Sequence, residues 1–313
     1  MSARQPRDGG DAIPERGHLP TECANANTAD LDALPLEEAV ARVQAEDAAI
    51  HDAIADARPA IVRAIVLIAD RLAAGGRLFY VGAGTSGRLG VLDAVELPPT
   101  FQSDPEQVQG LIAGGEGAMF RAVEGAEDSA ETAAKELAAR ELAAGDVVFG
   151  ITAGGTTPYV HGAIAAAQAA GAATVFFACV PFEDAPDAAD VSIRVVTGPE
   201  VLQGSTRLKA GTATKLVLNQ ISTLAMTRLG KVFDNCMVDV NTAGNVKLLD
   251  RGIRLVAQLC SLERDAARAA LEAADGHVKL AVCMQLLGLG AETARARLDA
   301  VGGHLRRVLE GDD

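Results

Sequence analysis

RLFYVGAGTSGRLGVLDAVELPPT, residues 77–100, decides how this chain is built. The apolar run Leu78 to Val81 ends in Gly82-Ala83-Gly84-Thr85-Ser86-Gly87, which reads as a buried strand, a tight turn and the start of a helix. The turn satisfies G-x-G-x-x-G, the pattern of a dinucleotide-binding loop. Such a site also needs an acidic residue about 20 positions further on, at the end of the second strand, to hold a ribose hydroxyl. Here that region is PPTFQSDPEQ (98–107): Asp104 sits among prolines, and the next apolar run begins only near Leu111. The nucleotide reading lacks its second half. The alternative is a phosphate cradle. Unpaired N–H groups and the helix dipole at the start of the helix favour an anion, Thr85 and Ser86 add two hydroxyl donors beside Gly84, and Arg88 adds charge. Thr or Ser at a helix start is often only a cap. Behind a strand and a Gly-x-Gly turn, at the edge where open sheets bind ligands, phosphate is the better reading.

Outward from this segment the chain alternates. LIAGG (111–115), DVVFGITAGG (146–155), ATVFFACV (173–180) and VSIRVV (191–196) repeat the apolar-run-then-turn pattern. Ala-rich stretches at helical spacing occupy 129–144, 157–170 and about 208–229, and Leu31 to about Ala74 reads as two further helices. Strands alternating with helices predict crossover connections, and so a parallel sheet covered by helices on both faces. Residues 250–313 return to continuous helical patterning. The expected division is a disordered tail at 1–20, an arm and helix at 21–55, an α/β domain at 56–235 and a helical C-terminal domain at 236–313.

With 313 residues the chain can hold one large α/β domain and smaller additions. Aromatic residues make up 3 % of it and the net charge is −14, which argues against nucleic acid as a partner. A small phosphorylated metabolite remains open, because distant charge is screened over about 8 Å. The five cysteines show neither C-x-x-C nor zinc-like spacing, and H-E-x-x-H is absent. Reduced thiols in a cytoplasm and no metal are expected. The polar N-terminus lacks the apolar run of a signal peptide, and no stretch reaches about 18 uninterrupted apolar residues, so no membrane partner is expected.

Four longer segments are more specific: GAGTSGRLGVLDAVELPPT (82–100), GLIAGGEGAMFRAVEGAEDS (110–129), GSTRLKAGTATKLVLN (204–219) and GKVFDNCMVDV (230–240). Together they closely resemble the N-acetylmuramic acid 6-phosphate etherases of the sugar-isomerase (SIS) superfamily, from about Thr21 to the C-terminus. The resemblance implies a flavodoxin-like three-layer αβα sandwich with a parallel sheet, and a homodimer with ligands near its interface. It also implies a reaction that releases D-lactate from N-acetylmuramate 6-phosphate and needs no cofactor. An ether carbon resists direct displacement. In the opened sugar the C1 aldehyde acidifies the C2 proton, so elimination can expel the C3 oxygen and water can add back. That route needs a base at C2 and an acid at the departing oxygen, and two carboxylates can supply both.

The resemblance carries these roles onto Glu96, as the acid, and Glu127, as the base, with Glu116 and Glu124 as possible helpers. Asp128 reads as a structural cap, since Asp128-Ser129-Ala130-Glu131 resembles a capping box. Ser205, Thr206, Arg207 and Lys209 form a second expected helix-start anion site, with Glu200 near the sugar hydroxyls. TECANAN (21–27) is expected to order over the site. If 85–96 were one straight helix, its ends would lie about 16 Å apart. Either the helix breaks before Glu96, helped by Pro98 and Pro99, or the site is shared with a second subunit, which is the favoured reading. One departure stands out. Where the family commonly has Ala-Ser-Gly-Arg-Thr-Pro, this chain has Ala153-Gly154-Gly155-Thr156-Thr157-Pro158. A lost donor to a charged ligand costs roughly 1.5–3 kcal/mol unless replaced, and Thr156 and Thr157 are the candidates to replace it. The competing readings are a non-catalytic sugar-phosphate sensor of the glucokinase regulatory protein type and an aldose–ketose isomerase.

Overall fold

A computed structural model of the protein describes residues 15–311. Leu36–Asp56 (α1) and Arg58–Ala73 (α2) precede an alternation of Leu78–Gly82 (β1), Gly84–Phe101 (α3), Val108–Ile112 (β2), Ala130–Ala139 (α4), Val147–Ile151 (β3), Pro158–Ala169 (α5), Ala173–Ala178 (β4), Val191–Arg194 (β5) and Lys209–Arg228 (α6). Five further helices follow: Val246–Cys260 (α7), Arg264–Ala273 (α8), Val278–Leu287 (α9), Ala291–Ala300 (α10) and Leu305–Glu310 (α11). Among the described residues the strands form one sheet in the order β2-β1-β3-β4-β5, parallel at every pairing.

The period-2 geometry of a strand divides the core in two. Leu78, Tyr80, Phe149 and Phe177 pack with α1, α2, α3 and α6, while Phe79, Val81, Val148 and Phe176 pack with α4 and α5. The result is the three-layer αβα sandwich. Chain direction explains the assignment of helices to faces. β1 to β2 steps one way along the sheet, while β2 to β3 and β3 to β4 step the other. Right-handed crossovers therefore put α3 on one face and α4 and α5 on the opposite one. The reversal leaves a crevice between the carboxyl ends of β1 and β3, the place where open α/β sheets hold ligands.

Several local expectations change. β2 starts at Val108, before the apolar run itself, and Ala113-Gly114-Gly115 turns away, with both glycines at positive φ. α3 does not break before Glu96. It runs through Pro98 and Pro99 to Phe101 and ends with Gln102 in the left-handed region. Prolines in the last turn remove only the two bonds they would donate to residues four back. The N–H of Asn241 then takes the Pro99 carbonyl at 3.2 Å. The cap of α4 is Ser129, whose hydroxyl accepts from the Thr132 N–H at 3.3 Å, so Asp128 is exposed and not the cap. The expected disordered tail lies outside the described residues as far as residue 14. Residues 15–20, however, are placed, and Leu19 is buried against the α4–α5 side of the sheet. Helices α7 to α11 enclose a separate apolar cluster around Val256, Leu271, Ala281 and Cys283. No helix among the described residues is long and apolar enough to cross a membrane.

Candidate active site

The glycine turn is shaped by packing. A Cβ on Gly87 would stand 2.6 Å from the Gly82 carbonyl oxygen and 2.7 Å from Ile112 Cγ1. Only hydrogen at residue 87 lets α3 start this close to β1 and β2. Gly84, at φ 52°, opens the helix. Neither Thr85 nor Ser86 caps it: the N-cap is Ala83, and no side chain accepts from the first turn. The hydroxyls and first-turn N–H groups are left to a ligand, as an anion site requires.

That turn lines a cleft of about 210 Å³ at the β1/β3 crevice. Thr85, Ser86 and Gly84 come from the first turn, and Thr152, Gly154, Thr156 and Thr157 from the loop after β3; Thr206 and Glu127 complete the wall with residues of the N-terminal arm. Thr157 Oγ1 is held 2.9 Å from Thr152 Oγ1. Glu127, in a 3-10 turn, also borders an adjoining cavity of about 170 Å³ that Glu124 and Arg88 line. Glu116 begins another 3-10 turn and lines neither cavity. Among the described residues no cluster of His, Cys, Asp or Glu is placed to hold a metal ion.

The second expected anion site is already filled by the protein itself. Glu200, fully buried, accepts from the N–H groups of Lys209 and Ala210 at 2.8 and 2.9 Å, so its own carboxylate occupies the start of α6. Lys209 is buried too, its ammonium 2.7 Å from Glu46 on α1. Burial alone would push the Glu46 carboxyl up. The Lys209 ammonium and the amides of Asn27 and Asn25 outweigh it and hold the pKa down at about 2. Lys209 and Glu200 therefore build the scaffold under the cleft. Of that expected cluster only Thr206 reaches the cleft; Ser205 and the exposed Arg207 do not line it. Arg88 does not face the anion site either. Its guanidinium donates to the carbonyls of Met119 and Ala118 at 3.1 and 2.7 Å, fastening the turn after β2.

The arm closes the cleft. Asn25 and Asn27 bind Glu46 at 2.8 and 2.7 Å, and Thr28 donates to the Val201 carbonyl at 2.8 Å. These contacts seat Arg16, Leu19 and Glu22 on the cleft wall. TECANAN pointed to Glu22; nothing in the sequence singled out Arg16 or Leu19. Gly154 is no steric necessity, since a Cβ there would meet Leu19 Cδ1 and Thr21 Oγ1 at an ordinary 3.8 Å. Glu96 stands apart. It is exposed on the far part of α3, does not line the cleft, and shares a helix face with exposed Leu92 and Val95. The chain thus brings Glu127 and the glycine turn together on one cleft and leaves Glu96 outside.

Residues 60–168 match the glucokinase regulatory protein N-terminal SIS domain family. The chain is 56 % identical over 274 residues to the N-acetylmuramic acid 6-phosphate etherase of Gloeobacter violaceus, covering 88 % of this chain and 89 % of that one. It is 55 % identical over 271 residues to that of Synechococcus elongatus, covering 87 % and 88 %. A phosphoheptose isomerase structure from Francisella tularensis superposes with a TM-score of 0.45 at 17 % identity, over 60 % of this chain and 98 % of that one. Identity at this level over nearly nine-tenths of the chain means that it belongs to the N-acetylmuramic acid 6-phosphate etherase family.

Proposed function

We propose that the protein is a carbon–oxygen lyase that cleaves the D-lactyl ether of N-acetylmuramate 6-phosphate, giving N-acetylglucosamine 6-phosphate and D-lactate. The observation that carries this reading is the cleft itself: an uncapped helix start ringed by hydroxyls, with the Glu127 carboxylate on the same wall. The phosphate sits at the first turn of α3 and leaves the ring carbons toward Glu127. The Glu127 carboxylate takes the C2 proton of the opened sugar. The C3–O bond breaks as Glu96 gives its proton to the lactate oxygen, leaving a C2–C3 double bond conjugated to the aldehyde. Water adds at C3, losing a proton to Glu96, and C2 recovers one from Glu127. The sum is substrate plus water to the two products, with both carboxyls restored.

Glu96 cannot serve its own chain's cleft from the far part of an unbroken helix, so it serves that of a second copy. Three helices of that layer support such an assembly: α6 packs against both α2 and α3, and Val62 and Val66 on α2, Leu92 and Val95 beside Glu96 on α3 and Leu224 on α6 are exposed apolar side chains. A two-fold dimer through this face would offer each cleft its partner's carboxylate. Incubation of the purified protein with N-acetylmuramate 6-phosphate should release D-lactate, and Glu127→Gln should lower the rate about 10²–10⁴-fold. Phosphosugar binding without lactate would instead favour the non-catalytic sensor, the reading suggested by Gly154 and Thr156.

A further inference from the structure

The ligand proposed above carries a phosphate, yet the formal charges on the cleft wall include two carboxylates, Glu22 and Glu127, in a protein of net charge −14. Hydroxyls and a helix dipole offset part of a dianion; a nearby cation offsets far more. The expected cations are committed elsewhere or lie off the wall: Arg88 to two carbonyls, Lys209 to Glu46, and Arg207 outside the cleft. Among the described residues, one cationic side chain does line the cleft: Arg16. We propose that Arg16 is the phosphate-binding cation of this site, delivered by the N-terminal arm.

The arm is fastened well enough to do this. The Leu19 N–H closes a turn on the Arg16 carbonyl at 3.0 Å, and the Leu19 side chain is buried beneath it. Beyond it Thr21 is buried, and the Glu22 carbonyl accepts from Gln203 at 2.9 Å. Arg16 itself is exposed and lines the same cleft as Gly84, Thr85 and Ser86 of the α3 turn, so its guanidinium is free to meet an anion held there. A guanidinium can grip two phosphate oxygens at once, which the hydroxyls of the turn, as single donors, cannot. Thr156 lines the same cleft, so an arginine placed there can reach the same anion.

This assignment deepens the etherase reading, and the test separates the two. Calorimetric titration with N-acetylglucosamine 6-phosphate measures the phosphate site without any reaction; D-lactate release from N-acetylmuramate 6-phosphate measures the chemistry. Arg16→Gln should raise the product's Kd and the substrate's KM alike, by roughly ten- to a hundredfold, with kcat little changed and Tm unaltered. Arg16→Lys should recover part of the loss, and Thr156→Arg in the Arg16→Gln background should recover most of it. Wild-type affinity of Arg16→Gln for N-acetylglucosamine 6-phosphate overturns the assignment. So does a loss confined to N-acetylmuramate 6-phosphate, which would move Arg16 to the lactyl carboxylate, and so does failure of the wild type to bind the phosphosugar. If the wild type releases no lactate but Arg16→Gln still loses phosphosugar affinity, the etherase reading falls and Arg16 stands. If Arg16→Gln releases lactate with normal kcat and KM, the outcome is reversed.

Discussion

A heterodimer of two inactive chains tests the shared site most sharply. Thr85 and Glu96 are eleven residues apart on a helix that the two prolines do not break, a rise of about 16 Å. If each cleft takes Glu127 from one chain and Glu96 from its partner, Glu96→Gln and Glu127→Gln homodimers both lose about 10²–10⁴-fold in kcat, because every site lacks one carboxylate. In a heterodimer of the two variants, one cleft combines the intact Glu127 of the first chain with the intact Glu96 of the second. The other cleft combines both glutamines. Co-expressed chains bearing two different affinity tags, purified through both, should therefore show about half of wild-type activity, one working site in two, in a D-lactate assay. If instead both carboxylates acted within one chain, every cleft of the heterodimer would carry a defect, and activity would stay at the level of the single variants. That result, from a heterodimer shown to be intact by size, would refute the argument from helix length.

Other consequences follow from the packing. Gly87→Ala places a methyl 2.6 Å from the Gly82 carbonyl, which backbone alone can relieve, so a loss of about 2 kcal/mol is expected from the denaturation midpoint, with weaker phosphosugar binding; unchanged values would show that α3 can start further from the sheet. Lys209→Met strands the Glu46 carboxylate and should cost about 3 kcal/mol, the low end for a broken buried pair because Asn25 and Asn27 still hold Glu46. The Glu46 carboxyl is held below its ordinary value in the fold, so its contribution is complete above about pH 4.5 and disappears as pH falls toward about 2. Glu46→Gln should flatten that acid limb in a series of thermal melts, and a limb as steep as wild type would place the acid-labile contact elsewhere.

The sequence alone was sufficient for the sheet, its flanking helices and the glycine turn, because these rest on short-range rules. Apolar runs ending in glycine make strands and turns, 3.6-residue spacing makes helices, and strand–helix alternation forces parallel pairing. What stayed hidden was decided by contacts between residues far apart in the chain. Two helix starts with similar hydroxyl-rich sequences differ because Glu200 folds back onto one of them and nothing caps the other. Lys209 looked like a ligand residue until Glu46, 163 positions earlier, claimed its charge. Arg16 gave no local sign, since its position over the cleft depends on where Leu19 is buried. Local spacing dictates which groups a segment offers; only the packed chain determines which of those groups are still free to meet a ligand.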